Sequence, residues 1–192
     1  MHTIISLLRG INVGSSKTVA MDDLVSLYRS MGLNNVRTYK RSGNILFDYP
    51  LADPGKLSRM LEEHISRTVG FQVLVILRND NDFREIIRNN PFSEGVSPDI
   101  TRLHVTFLSA FPPIDAVTGV NGIKDQVDKV KVIGREVYLF CPDGYGRTKF
   151  SNTFLEKKLG VAATTRNWKT VIMLEEMAGK KSPAGSSEDE DV

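Results

Sequence analysis

The chain has 192 residues, 41% of them hydrophobic and 25% charged, with a formal net charge of +2 and one cysteine. That composition fits a soluble globular protein of one large or two small domains. It excludes a membrane-spanning helix, since no apolar run approaches the ~20 residues required, and a disulfide framework, since Cys141 has no partner in the chain. Charge is unevenly placed. The last thirteen residues, Lys180–Val192 (KKSPAGSSEDEDV), hold two bases and four acids, and without them the body has 23 basic against 19 acidic side chains. Such a body is mildly basic, short of the excess expected of a dedicated duplex-DNA binder. Met1-His2-Thr3-Ile4 lacks the basic n-region of a signal peptide. With a single thiol suited to a reducing compartment, the expectation is a cytoplasmic protein.

In chain order, Thr3–Leu8 is a nearly continuous apolar run, the pattern of a strand covered on both faces. Arg9–Val19 is rich in Gly, Ser and Asn and predicts a loop. Met21, Leu24, Val25, Tyr28 and Met31 recur at helical spacing before Gly32. Val36–Lys40 and Ile45–Tyr49 predict a hairpin around Ser42-Gly43-Asn44. Asp53-Pro54 is a cap followed by a first-turn proline, and Leu57, Leu61, Ile65 and Val69 carry a helix to Gly70. Phe71–Leu77 predicts another strand. The order β-α-β-β-α-β is that of a ferredoxin-like unit.

A short helix around Phe83, Ile86 and Ile87 follows, stopped by Asn89-Asn90-Pro91. Leu103, Val105 and Phe107 alternate with His104 and Thr106 in a half-buried strand. A short helix is predicted after Pro112-Pro113, strands at Val127–Ile133 and Glu136–Cys141, and helices at about Phe150–Leu159 and Asn167–Ala178. The second half thus reads β-α-β-β-α-α. The expected fold is α+β: two similar ferredoxin-like (βαββαβ-type) subdomains, the second incomplete or decorated. The expected boundaries are 1–78 for the first, 79–100 for a connecting helix and hinge, 101–179 for the second, and 180–192 for a disordered acidic tail able to mimic nucleic acid over a basic groove.

Four segments carry candidate chemistry. The loop after the first strand, Arg9 to Thr18, combines two glycines with Arg9, Asn12 and Lys17, a composition suited to an anion. It is not a Walker A loop, because three residues separate its glycines and two precede Lys17. Pro142–Lys149 joins a strand to a helix start and adds Arg147 and Lys149, with Asn152 just beyond. In Thr164–Lys169, Arg166 and Asn167 adjoin Trp168, itself expected to anchor the core. The fourth is the Lys40–Asn44 turn, where Asn44 or Arg41 is within reach of a ligand. The candidate ligand-binding residues are Arg9, Asn12, Asn44, Arg147, Lys149, Asn152, Arg166 and Asn167, placed in one cleft between the halves.

Metal binding is unsupported: His2, His64 and His104 are scattered, and no H-E-x-x-H or C-x-x-C occurs. No cofactor motif is present, and no G-x-S-x-G elbow. Cys141, at the end of an apolar strand, reads as a small buried hydrophobe.

LLRGINVG (Leu7–Gly14), Arg37–Phe47, FCPDGYGRTKFSN (Phe140–Asn152) and TTRNWKTV (Thr164–Val171) resemble, in order, the signature segments of a bacterial family, domain of unknown function 1697 (DUF1697). The likeness spans roughly residues 1–178. It implies two α+β subdomains and implies no activity. Family members usually read Gly-Lys where this chain has Ser15-Ser16, and often Gln where it has Arg41, so Lys17 and Arg41 are the weaker site candidates.

Three functions stay open. One is a binding module for an anionic small molecule, a nucleotide or single-stranded nucleic acid. Another is an enzyme acting on a phosphorylated or carboxylated substrate, by a fold-level analogy with acylphosphatases in which Arg9 and Asn12 or Asn44 take the Arg and Asn roles. The last is a protein–protein interaction protein. Base stacking on the sheet as in an RRM is disfavoured, because Ser42–Tyr49 (SGNILFDY) lacks most of the aromatics needed.

Overall fold

The computed structural model describes residues 1–12, 17–50, 53–93 and 99–180. Its first half runs β1 (His2–Arg9), α1 (Met21–Ser30), β2 (Asn34–Thr38), β3 (Asn44–Tyr49), α2 (Pro54–Val69) and β4 (Leu74–Asn79). Its sheet is antiparallel in the order β2-β3-β1-β4, the ferredoxin-like arrangement. α2 illustrates how local chemistry sets an element. Asp53 caps the Lys56 amide, Pro54 occupies the first turn, Leu57, Leu61 and Ile65 fall on one buried face, and Gly70 ends the helix at φ 78°. After β4 comes α3 (Asp80–Arg88), started by a reciprocal cap between Asn79 and Asp82.

The second half repeats this plan: β5 (Leu103–Leu108), α4 (Ile114–Asn121), β6 (Lys129–Ile133), β7 (Glu136–Phe140), α5 (Asn152–Leu159), β8 (Ala163–Asn167) and α6 (Trp168–Gly179). Its sheet order, β6-β7-β5-β8, is the same. The second unit is therefore complete rather than one strand short. β8 supplies the missing strand, with sequence ATTRN and one apolar residue, Ala163. Its residues pair with β5 from His104↔Asn167 to Leu108↔Ala163. α6 is the decoration, and it repeats α3. The acidic tail, residues 181–192, lies outside the described residues, as do Val13–Ser16 of the first loop.

Three apolar clusters hold the layers. One face of the first sheet packs on α1 and α2 through Ile4, Leu24, Tyr28, Phe47, Leu61 and Ile65. One face of the second packs on α4 and α5 through Val120, Val137, Leu139, Phe150, Leu155 and Leu159. The central cluster joins the remaining faces, with Ile5, Leu46 and Ile76 meeting Val105, Phe107 and Tyr138, together with α3 (Phe83, Ile86) and α6 (Trp168, Val171, Leu174). Trp168 is 4% exposed and anchors this middle layer.

Candidate functional site

The two halves are related residue by residue at their junction. Arg78 leaves the end of β4, is 3% exposed, and crosses into the second half. Its Nη2 donates to the carbonyls of Leu108 (2.9 Å) and Arg135 (3.1 Å), its Nη1 to Leu77 (2.9 Å), and its Nε to the Glu136 carboxylate (2.8 Å). Arg166 leaves the end of β8, is 7% exposed, and crosses into the first half. Its Nη2 donates to the carbonyls of Leu8 (2.8 Å) and Ser42 (3.1 Å), its Nη1 to Thr165 (2.9 Å) and to Thr164 Oγ1 (2.8 Å), and its Nε to Asn44 Oδ1 (2.5 Å). Leu8 corresponds to Leu108: their amides donate to Gly43 and Arg135, the residues before Asn44 and Glu136. In register, Asn44 pairs with Leu7 and Glu136 with Phe107. Each half thus grips the other with the same arginine, a reciprocal contact of the kind that relates identical subunits about a two-fold axis.

The grips differ in charge. Arg78 has Glu136 as counter-ion at 2.8 Å. Arg166 has the neutral Asn44 in that place, and no carboxylate lies within ion-pair distance of it among the described residues. Burial pushes its guanidinium down to about 10, so it stays charged at neutral pH. The fold therefore carries an unneutralised cation beneath the end of β1.

The other candidates have their own partners. Arg9, at the end of β1, pairs with Glu156 of α5, its Nη2 donating to Oε2 at 2.6 Å. Asn12, in the left-handed region at φ 53°, donates to the carbonyls of Val19 (3.0 Å) and Arg41 (2.7 Å) and accepts from the Val19 amide (2.8 Å). It ties the first loop to the β2–β3 turn. Asn44 is fully buried, donating to the Tyr39 carbonyl and Ser42 Oγ while accepting from Arg166. Asn152 Oδ1 accepts from Thr165 Oγ1 (2.7 Å), which also meets Thr106 Oγ1 (2.7 Å) and accepts from the Tyr145 hydroxyl (3.0 Å). Asn167 caps α6 by accepting from the Thr170 amide (2.8 Å). Lys149 pairs with Asp125 (2.6 Å), and that bond, with two backbone amides, holds the Asp125 carboxyl down to about 2. Cys141 is buried, and burial raises its thiol to about 11, far from a nucleophile at neutral pH.

The structure brings Arg166 and Asn44 together directly, with Arg9 one residue from the Leu8 carbonyl that Arg166 holds. It does not gather the rest. Arg147 is exposed and opens, with Lys149, onto a small cavity of about 240 Å³ walled by Asp125, Asp128 and Asp143. Arg9 opens onto a different cavity of about 680 Å³ with Gly10, Lys17, Glu62, Glu63, Ser66 and Gln72. Lys17 is held at φ 56° on its rim. Arg78 and Glu136 were missed as candidates. The signal was present: Arg78-Asn79 and Arg166-Asn167 repeat the same dipeptide, in each case arginine to cross the junction and asparagine to cap the next helix. Among the described residues no group of three His, Cys, Asp or Glu side chains can hold a metal, and no helix is long and apolar enough to cross a membrane.

These features define the class: a tandem pair of ferredoxin-like units, each followed by a helix in the shared middle layer, locked by reciprocal arginines. The chain matches, over residues 1–138, the family described as "Protein of unknown function (DUF1697)", and it belongs to that family. It is also similar to the solved structure of the conserved bacterial protein SP0830 from Streptococcus pneumoniae. That likeness has a TM-score of 0.74 at 24% identity and covers 94% of this chain and 99% of the other. At that identity it speaks for the fold alone. No curated protein matches the chain.

Proposed function

We propose that this protein binds a small phosphate-bearing ligand, a nucleotide or sugar phosphate, in the cavity at the end of β1. The observation that carries this reading is the unneutralised Arg166, which does not line the cavity but holds the Leu8 carbonyl, one residue before Arg9 on its wall. Its twin, Arg78, is neutralised by Glu136 at the equivalent corner, so the fold does not require the charge to be left open. A buried cation without a counter-ion projects a positive potential through low-dielectric surroundings. Lys17 adds an ammonium at the rim, 5.6 Å from the Phe71 ring, on left-handed backbone at φ 56°. The volume, about 680 Å³, suits a molecule of nucleotide size.

The acidic wall selects among anions. Glu62 is engaged by the Val75 amide (2.9 Å), whereas Glu63 is exposed on the rim. A carboxylate there accepts from ligand hydroxyl or amino groups and repels a continuous run of phosphates. That favours a small ligand over single-stranded nucleic acid. Asn12 and Asn44 are both committed inside the protein, which leaves the acylphosphatase-like enzyme reading without its asparagine. A protein-contact reading draws on one feature, Phe111 and Ile114, 73% and 82% exposed, with the Arg135 guanidinium 5.3 Å from the Phe111 ring.

The test is a thermal-shift series with inorganic phosphate, nucleoside phosphates and sugar phosphates on the native chain and on Asn44→Asp. Ligand at 100 times its dissociation constant adds about 2.7 kcal/mol, roughly 5–10 °C at this size. Asn44→Asp gives Arg166 a counter-ion but gives up the bond that Asn44 Nδ2 donates to the Tyr39 carbonyl, so its own melting point is the baseline, and the expected result is a folded chain that has lost the ligand shift. No shift with any of the compounds refutes the reading, and an undiminished shift in Asn44→Asp refutes the role given to Arg166.

A further inference from the structure

We infer that the acidic C-terminal segment, Glu188–Asp191, docks in cis on the basic edge formed by β2 and the β2–β3 turn. The inference is independent of the ligand reading and starts where the described chain ends. α6 closes against β2: Arg37 Nη1 donates to the carbonyls of Met177 (3.0 Å) and Lys180 (3.2 Å). Lys180, the last described residue, therefore lies beside a sheet edge, because β2 is the outer strand of its sheet.

That edge is basic. Arg37, Lys40 and Arg41 follow one another along it. Lys40 and Arg41 are exposed, and none of the three has a carboxylate within ion-pair distance among the described residues. Lys40 Nζ lies 5.1 Å from the Tyr39 ring, which holds its charge against the strand. The nearby carboxylate on β3, Asp48, is already occupied by Thr3 (3.0 Å) and Asn35 (2.6 Å).

The reach is sufficient. Seven residues separate Lys180 from Glu188, so eight residue steps span about 27 Å of extended chain, while Arg41 lies four steps beyond Arg37, past the end of β2 and at most about 14 Å away. The complement also fits: the body carries the basic excess and residues 188–191 are all acidic. A tether this short sets an effective concentration of roughly millimolar, so weak individual pairs suffice for docking at moderate ionic strength.

The experiment is zero-length carbodiimide cross-linking of the full chain at about 0.15 M salt, with linked peptides mapped by mass spectrometry. Docking predicts an amide link between Lys40 Nζ and a carboxylate of residues 188–191 in material of monomer mass. The yield should fall several-fold in Arg41→Glu, and the link should vanish at 1 M salt, where the screening length is about 3 Å. In a second measurement, amide resonances of residues 39–42 should move when E188Q, D189N, E190Q and D191N are introduced together. Absence of the Lys40 link, the link only in material of dimer mass, or unmoved resonances each overturn the inference.

Discussion

Replacing Arg166 with methionine tests the junction most directly. The substitution keeps an apolar stem of similar reach and removes five N–H donors. It strands the buried Leu8 carbonyl and Asn44 side-chain oxygen, and the carbonyl of Ser42 in the exposed β2–β3 turn. A buried acceptor left without its donor costs about 1–3 kcal/mol, and water entering from the side of the exposed β2–β3 turn offsets part of that. Release of an uncompensated charge from the interior offsets another part. Three acceptors stranded, less these offsets, give an expected net loss of roughly 3–5 kcal/mol, a large fraction of a typical 5–15 kcal/mol total. With a urea m-value of about 2 kcal/mol/M, the midpoint should fall by roughly 2 M. Arg166→Lys should recover little, since an ammonium cannot span Asn44, Leu8 and Thr164 together. A loss below about 1 kcal/mol in Arg166→Met would refute the claim that this side chain locks the halves.

Two further predictions use other parts of the first half and of β5. Gly43 and Gly10 have nearly the same backbone, φ 73° and 74°, but a Cβ on Gly43 would meet Leu8 Cβ and Ile11 Cδ1 at 2.8 Å, whereas one on Gly10 meets nothing within 4 Å. Gly10→Ala should therefore cost about 1 kcal/mol for left-handed backbone alone, and Gly43→Ala about 3 kcal/mol with the overpacking added; equal losses in chemical denaturation would contradict the packing described. His104 is nearly buried on β5, and burial holds its imidazole below the ordinary value, with the Arg102 carbonyl 3.3 Å from Nδ1 offsetting part of the effect. The unfolded chain then binds the proton more readily, so stability should be full above pH ~6.5 and decline as pH falls from there toward the depressed folded value. His104→Gln should flatten that decline in urea midpoints measured between pH 7.5 and 5, and an unchanged slope would place its source elsewhere.

Much of the fold was legible because most elements bury one face or one stripe, which leaves a period in the sequence. Leu57, Leu61 and Ile65 announce α2, and Leu103, Val105 and Phe107 announce β5. β8 escaped because its neighbours are not apolar. Thr165 faces Thr106 and Tyr145, and Arg166 faces carbonyls, so a buried strand is written in polar letters. The candidate site was legible as a set of residues but not as roles. Arg166 and Asn44 lie far apart in sequence yet form one hydrogen bond, and nothing in either segment alone shows that the arginine faces inward. Arg9 reads as an open cation until Glu156 is brought against it by the second half. Residues chosen for donating to an anion are the same types that hold buried carbonyls, and only tertiary pairing separates the two uses.

The duplication itself supplies a way to separate them. What both repeats retain serves the shared frame: the arginine at the end of the fourth strand, the asparagine cap after it, the leucine carbonyl it holds, and the helix that fills the middle layer. What differs between equivalent positions is free of that duty. At the corner by β5, the turn places Glu136 against its arginine, with Arg135 outside against Phe111. At the corner by β1, Asn44 replaces the acid, Gly43 lets the turn close on Leu8 and Ile11, and Arg9 and Lys17 border a cavity. The fold tolerates a neutralised arginine at one corner and leaves the other open, at a cost in burying bare charge that Glu136 shows to be avoidable. A cost carried on one side of a symmetric frame is the ground on which a ligand is proposed for that side, and the charge left over there is of the sign that attracts an anion.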